Sequence, residues 1–152
     1  TLNPDRSIQN SCYAFHRFLT PVYRRTMLGK LPWAKKEINR FLLADMDRTK
    51  AQDVDWVQGS AMCIRRSLLE QIGGFDESFF MYFEDTDLCR RAWAAGKRVA
   101  YTPVATFVHY HRRQSRTRRP WDILFNKVAR YHIKSAITYF KKYRGQPSPR
   151  FS

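Results

Sequence analysis

Acidic residues are scarce in this chain: thirteen Asp and Glu stand against 28 Lys and Arg, a net charge of +15 over 152 residues. An excess of that size points to an anionic partner, such as nucleic acid, a phosphorylated substrate or acidic lipid. Cysteine is scarce too. Cys12, Cys63 and Cys89 are odd in number and show no CxxC spacing. That pattern indicates neither a disulfide framework nor a zinc site, and it suits a reducing, cytoplasmic setting. No run approaches the roughly 18 apolar residues of a membrane-spanning helix, and the start has no signal-peptide pattern. Glycine-rich phosphate loops of the GxGxxG or Walker kind are missing. Any nucleotide-binding half therefore lies outside this sequence, and a first residue of Thr1 instead of Met suggests a partial chain.

What is present supports a folded domain or part of one, since 43% of residues are hydrophobic and 15% aromatic. The charge is unevenly spread. Residues 112–152 hold twelve basic residues and one acid, a net of +11, whereas 1–111 hold sixteen and twelve. The acids Asp76, Glu77, Glu84, Asp85 and Asp87 crowd into twelve residues.

Local patterns predict mixed α/β structure. Residues 1–15 read as a loop or edge hairpin turning at Asn3-Pro4-Asp5. A short basic amphipathic helix is expected over 16–28, weakened by Pro21. Residues 30–53 read as a charged insert without periodicity. Residues 56–64 read as a buried strand interrupted by Gly59, where a ligand or backbone can come close. Ser67 and Glu70 form a capping box for a helix over 68–72, stopped by Gly73. A helix over 84–95, acidic first and basic later, ends at Gly96. Strands are expected at 98–101 and 104–110, and a long helix from Pro120 to about Tyr143.

Asp85 has acidic neighbours one and two positions away and aromatic residues before it. Close carboxylates and apolar walls raise a carboxyl pKa, the makeup of a general base. Simple capping of a helix N-terminus is the plainer alternative.

The runs WVQGSAMCIRR, GGFDESFFMYFEDTDLCRRAWAAGKRVAYTP and VATFVHYH resemble the C-terminal half of bacterial family 2 glycosyltransferases of the rhamnosyltransferase-like branch. The opening NPDRSIQNS resembles the segment after their metal-binding DxD motif. The resemblance covers residues 1–111 and implies part of a GT-A fold, with 112–152 as a basic amphipathic tail. It implies an inverting sugar transfer from a nucleotide-diphosphate donor to a saccharide or lipid-linked acceptor, in cell-surface polysaccharide synthesis. By the same resemblance Asp85 is the catalytic base, and His109 is a ligand to Mg²⁺ or Mn²⁺, with His111 as fallback. Gly59 and Ser60 lie where sugar or pyrophosphate comes close. Trp56 is either an acceptor platform or a core aromatic. Glu84 and Asp87 either position sugar hydroxyls or fix the Asp85 loop. Ser115 and Arg116 are candidates for the donor diphosphate.

The chain departs from the family in lacking an upstream DxD. Asp45-Met46-Asp47 is read as a decoy, and the remaining metal carboxylates are expected outside the chain. The basic helix either lies on an anionic membrane, which would place the protein on the inner face of the plasma membrane, or covers the core. A nucleic-acid-binding module and an inactive fragment are the competing readings, the first disfavoured by the acidic patch.

Overall fold

The computed structural model describes residues 1–110 and 126–150. Two small antiparallel sheets form its centre. Strand β1 (Cys12–Tyr13) pairs with β3 (Trp56–Val57), placing Cys12 opposite Val57 and Tyr13 opposite Trp56. Strand β2 (Gln52–Asp53) pairs with β4 (Ala100–Tyr101). The core between them and the helices holds Cys12, Phe15, Phe41, Val54, Trp56, Cys89, Ala92 and Val99.

The opening turn is as expected. Asn3 accepts from the Arg6 amide, Asp5 takes the Ser7 amide and hydroxyl, and Leu2 bridges antiparallel to Ile8.

Residues 16–28 do not make one helix. Pro21 sits in the first turn of α1 (Thr20–Tyr23), where its missing N–H costs nothing, and a 3₁₀ turn follows at Met27–Lys30. The supposed insert is also corrected: Pro32–Leu42 is α2, an eleven-residue helix opened by Pro32 and burying Ala34 and Phe41.

The strand expected over 56–64 ends at Val57, because Gly59 and Ser60 turn and the Gly59 amide bonds to a side chain instead of a ladder. Helix α3 (Arg66–Ile72) begins before Ser67, so Ser67 lies inside its first turn and caps nothing; Glu70 pairs with Arg66 instead. Helix α4 (Glu84–Ala94) matches its prediction, with Gly96 just beyond it. The strand expected at 104–110 is reduced to a single parallel bridge between Val108 and Leu2.

Helix α5 (Lys127–Lys142) starts where the Asn126 side chain accepts the Ala129 amide, and Pro120 lies outside the described residues. Its Tyr139 is buried with Phe79 and Phe83 in a second apolar cluster. The basic C-terminal helix thus seals the underside of the acidic segment. Among the described residues no helix is long and apolar enough to cross a membrane.

Candidate active site

The chain enters α4 through two consecutive left-handed residues, Tyr82 (φ 66°) and Phe83 (φ 67°). Neither is glycine, and each such residue costs about 1–2 kcal/mol. Surrounding contacts hold the strain. Phe83 is buried against His16, Tyr139 and the edge of His132, while Tyr82 stacks on His132 at 4.3 Å. From α5, the Ser135 hydroxyl donates to the Met81 carbonyl at 2.7 Å.

This turn sets Asp85 on the first turn of α4, half-buried and facing the 58–60 turn. Its Oδ2 accepts the Gly59 amide at 3.1 Å and its Oδ1 the Thr86 amide at 2.8 Å. Burial pushes the Asp85 carboxyl above the ordinary aspartate value, and the two amide bonds only partly offset this. A Cβ on Gly59 would lie 3.7 Å from the Asp85 Cβ and 3.9 Å from Oδ2, an ordinary contact. The protein itself therefore does not require glycine here; a side chain would instead occupy space beside the carboxylate. Ser60, next in the turn, is exposed.

Glu84 is half-buried, and its Oε2 is shielded from solvent without a hydrogen bond among the described residues. Burial raises its pKa, and the Asp85 charge adds to the rise. Glu84 and Asp85 are thus adjacent carboxyls both raised by burial.

Asp87 is different. It is fully buried and takes Arg91 Nε at 2.7 Å, Lys142 Nζ at 2.7 Å and the Tyr143 hydroxyl at 2.6 Å. Nothing of it is open to a sugar. Of its two expected roles, its contacts match only the fixing of the Asp85 loop. Lys142 also binds Asp76, holding that carboxyl well below its usual range, with the Ser78 bonds adding to the effect.

Trp56 is not a platform for a ligand. It is buried, Tyr13 stacks on it at 4.6 Å and His16 at 5.6 Å, and its Nε1 donates to the Ala14 carbonyl. It is a core aromatic.

His109 is held by Gln9. The Gln9 amide nitrogen donates to Asn3 Oδ1 and the His109 carbonyl, which turns Oε1 towards Nδ1 at 2.8 Å. That orientation sets an acceptor oxygen against Nδ1 of the imidazole. Among the described residues, however, no group of three or more His, Cys, Asp or Glu is placed to hold a metal ion. A cation would need ligands beyond these. His111, Ser115 and Arg116 lie outside the described residues. Asp47 of the decoy triplet is engaged by Thr49 and Lys50 in a surface turn.

Sequence reasoning missed Ser135, Tyr139, Lys142 and Tyr143 as supports of the site. Ser135, Tyr139 and Lys142, spaced four and three residues apart, share one helix face, which was the available signal, and Tyr143 follows at its C-terminal end.

The model of the "Glycosyltransferase like family 2" matches residues 12–132 of the chain. The chain belongs to this family. Membership implies a GT-A-like α/β fold, and it disfavours the nucleic-acid reading. This family 2 chain is 40% identical over 91 residues to rhamnosyltransferase WbbL of Escherichia coli K12, which covers 60% of the chain and 32% of that protein. It is 46% identical over 92 residues to the N-acetylglucosaminyl-diphospho-decaprenol L-rhamnosyltransferase of Mycobacterium tuberculosis, covering 60% of the chain and 28% of that protein. The hexosyltransferase Agl10 of Haloferax volcanii is 41% identical over 56 residues, 37% of the chain and 18% of that protein. The chain thus spans about a third or less of these relatives. No solved structure matches it.

Proposed function

We propose that this chain is the acceptor side of an inverting glycosyltransferase that moves a sugar, rhamnose by analogy with its relatives, from a nucleotide-diphosphate donor to a saccharide or lipid-linked acceptor. The observation that carries this reading is Asp85. Its carboxylate is oriented by two backbone amides, raised in pKa by burial and set on a strained turn at the head of α4.

In the proposed reaction Asp85 takes the proton from an acceptor hydroxyl. That oxygen attacks the anomeric carbon as the bond to the diphosphate oxygen breaks, and the nucleoside diphosphate leaves with the bonding electrons. A single displacement inverts the anomeric centre. A raised pKa makes Asp85 a better proton acceptor than an ordinary surface carboxylate. Glu84, next to Asp85 in the first turn of α4, is proposed to position a second hydroxyl of the acceptor or to fix the Asp85 loop.

A divalent cation, Mg²⁺ or Mn²⁺, would offset the charge developing on the diphosphate. His109 would supply one ligand and carboxylates outside this chain the rest. Ser115 and Arg116 are proposed diphosphate contacts. An acceptor carried on a lipid would bring the protein to the inner face of the plasma membrane, with the basic 112–152 segment near the headgroups.

The test is product stereochemistry. The transferase that includes this chain, supplied with a nucleotide-sugar panel and acceptor, should give by NMR a product of anomeric configuration opposite to the donor's. A product with retained configuration would rule out a single base-assisted displacement.

A further inference from the structure

The segment between β1 and β2 turns large apolar side chains outward. Phe18, Leu19, Val22, Met27, Leu28 and Trp33 are all exposed, Phe18 and Met27 at 73% and Trp33 at 56%. Scattered exposed apolar residues are ordinary, but six within sixteen positions mark an interaction surface.

The segment is a built scaffold. Helix α1, the 3₁₀ turn and α2 pack on one another. Any side chain on Gly29 would come within 2.2 Å of the Tyr23 carbonyl, so the turn closes only with glycine. Tyr23 meets the edge of Trp33 at 5.3 Å, and the buried Thr20 hydroxyl donates to Glu37 at 2.6 Å. The apolar groups are held out by this packing.

Charge identifies the occupant. Residues 16–44 contain seven Lys and Arg and a single acid, Glu37. That acid points inward, its side chain 10% exposed, and is paired with Arg40 and Arg17. Lys30, Lys35 and Lys36 are exposed in the same segment, as are Arg24, whose guanidinium lies over the Phe41 ring, and Arg25, which contacts His132. Apolar side chains rimmed by cations match a bilayer interface with anionic headgroups, whereas nucleic acid would leave Phe18 and Met27 without a role. The face continues onto α5 through the Phe18–Phe140 ring contact, and Ile133 and Ile137 of that helix are exposed.

We propose that the Arg17–Lys36 segment is a docking surface for an anionic phospholipid bilayer, with Phe18, Met27, Leu28 and Trp33 inserted below the headgroups. This deepens the membrane-partner reading given above, but assigns the contact to a different part of the chain from the basic tail.

The test is flotation of the full chain with vesicles of phosphatidylcholine alone and of phosphatidylcholine mixed with phosphatidylglycerol, at low and high salt. The wild-type chain should float with the mixed vesicles and less so at high salt. The combined variant Phe18→Ser/Met27→Ser/Trp33→Ser, all exposed positions, should melt like wild type and lose at least about tenfold of the bound-to-free ratio. Trp33→Phe should remove the lipid-dependent blue shift of tryptophan emission. Flotation of the triple variant equal to wild type would overturn the proposal while leaving membrane binding by the tail intact. Absence of flotation by the wild-type chain would end both readings. Self-association without lipid that the triple variant abolishes would assign the face to a second copy and overturn it as well.

Discussion

The Tyr143 hydroxyl donates a 2.6 Å hydrogen bond to the fully buried carboxylate of Asp87, joining the end of the basic C-terminal helix to the first turns of α4. Lys142 binds the same oxygen and reaches Asp76 as well. The loop from Asp76 to Asp87, which contains the strained Tyr82-Phe83 pair and Asp85, is thereby pinned at both ends from one helix. In energetic terms the basic tail belongs to the acidic site.

Replacing Tyr143 by Phe removes one donor from a buried charged acceptor and leaves Arg91 and Lys142 in place. The expected loss is about 1.5–3 kcal/mol of unfolding free energy, the usual range for a hydrogen bond to a charged group. Asp87→Ala should cost more, about 3–5 kcal/mol, because it removes the fully buried carboxylate on which Arg91, Lys142 and Tyr143 converge. Urea denaturation of the two variants checks both. An Asp87→Ala chain as stable as wild type would contradict the network.

Tyr139 fills the space between Phe79 and Phe83 and is 1% exposed. Truncation to Ala should destabilise the chain by about 3–5 kcal/mol, in line with other large aromatic deletions. Ile137→Ala, at an exposed position two residues away on the same helix, should change stability by less than about 0.5 kcal/mol. Thermal melts of the pair separate a helix that seals the core from one that only lies on it.

Two histidines give stability a pH dependence of known sign. Burial keeps the His16 imidazole well below its usual pKa and lowers that of His132 to about 3, with nearby Arg charges adding to both effects. The unfolded chain takes up these protons near pH ~6.5 while the folded chain does not. Stability is therefore full above that pH and falls as the solution is acidified towards pH ~5, by at most about 1.4 kcal/mol per pH unit for each histidine. Glu84 and Asp85, whose pKa values are raised, act in the opposite sense at lower pH, when carboxylates titrate. Denaturation between neutral pH and pH ~5 should show a slope that His132→Phe roughly halves. A flat profile would contradict the burial of both rings.

If the donor site lies outside this chain, as proposed, the 152 residues alone should show no tight affinity for nucleotide sugars. Calorimetry with UDP-, GDP- and dTDP-sugars in the presence of Mn²⁺ measures this directly. Micromolar binding would move the donor site onto residues present here.

The parts of this molecule legible in its sequence were those whose signal is local. Helix α4 shows acids in its first turn, arginines later and Gly96 after it, and the opening turn follows from Asn3 and Asp5. Helix α2 was not legible, because its buried side offers only Ala34 and Phe41 among lysines and Glu37. The strand through 56–64 was overestimated, since Gly59 gives its N–H to Asp85 from 26 residues away, a pairing that no local pattern encodes. Trp56 is ambiguous in the sequence, and its burial beneath the stacked Tyr13 and His16 rings decides that it faces protein. That α5 could cover the core was one of two readings of its sequence, and its apolar contacts through Tyr139, Ala136 and Phe140 match it; the polar contacts of Ser135, Lys142 and the Tyr143 hydroxyl left no local signal.

The role of Asp85 decides the account. Substitution by Asn preserves the shape of the side chain and an acceptor for the Gly59 amide, but removes the proton-accepting oxygen. In the transferase that includes this chain, Asp85→Asn should lower turnover by about a hundred- to ten-thousand-fold, the usual contribution of a general base. Melting temperature and donor affinity, measured on the same preparation, should stay near wild type. Turnover within about threefold of wild type, with the protein folded and the donor bound, would contradict the assignment of Asp85 as the base.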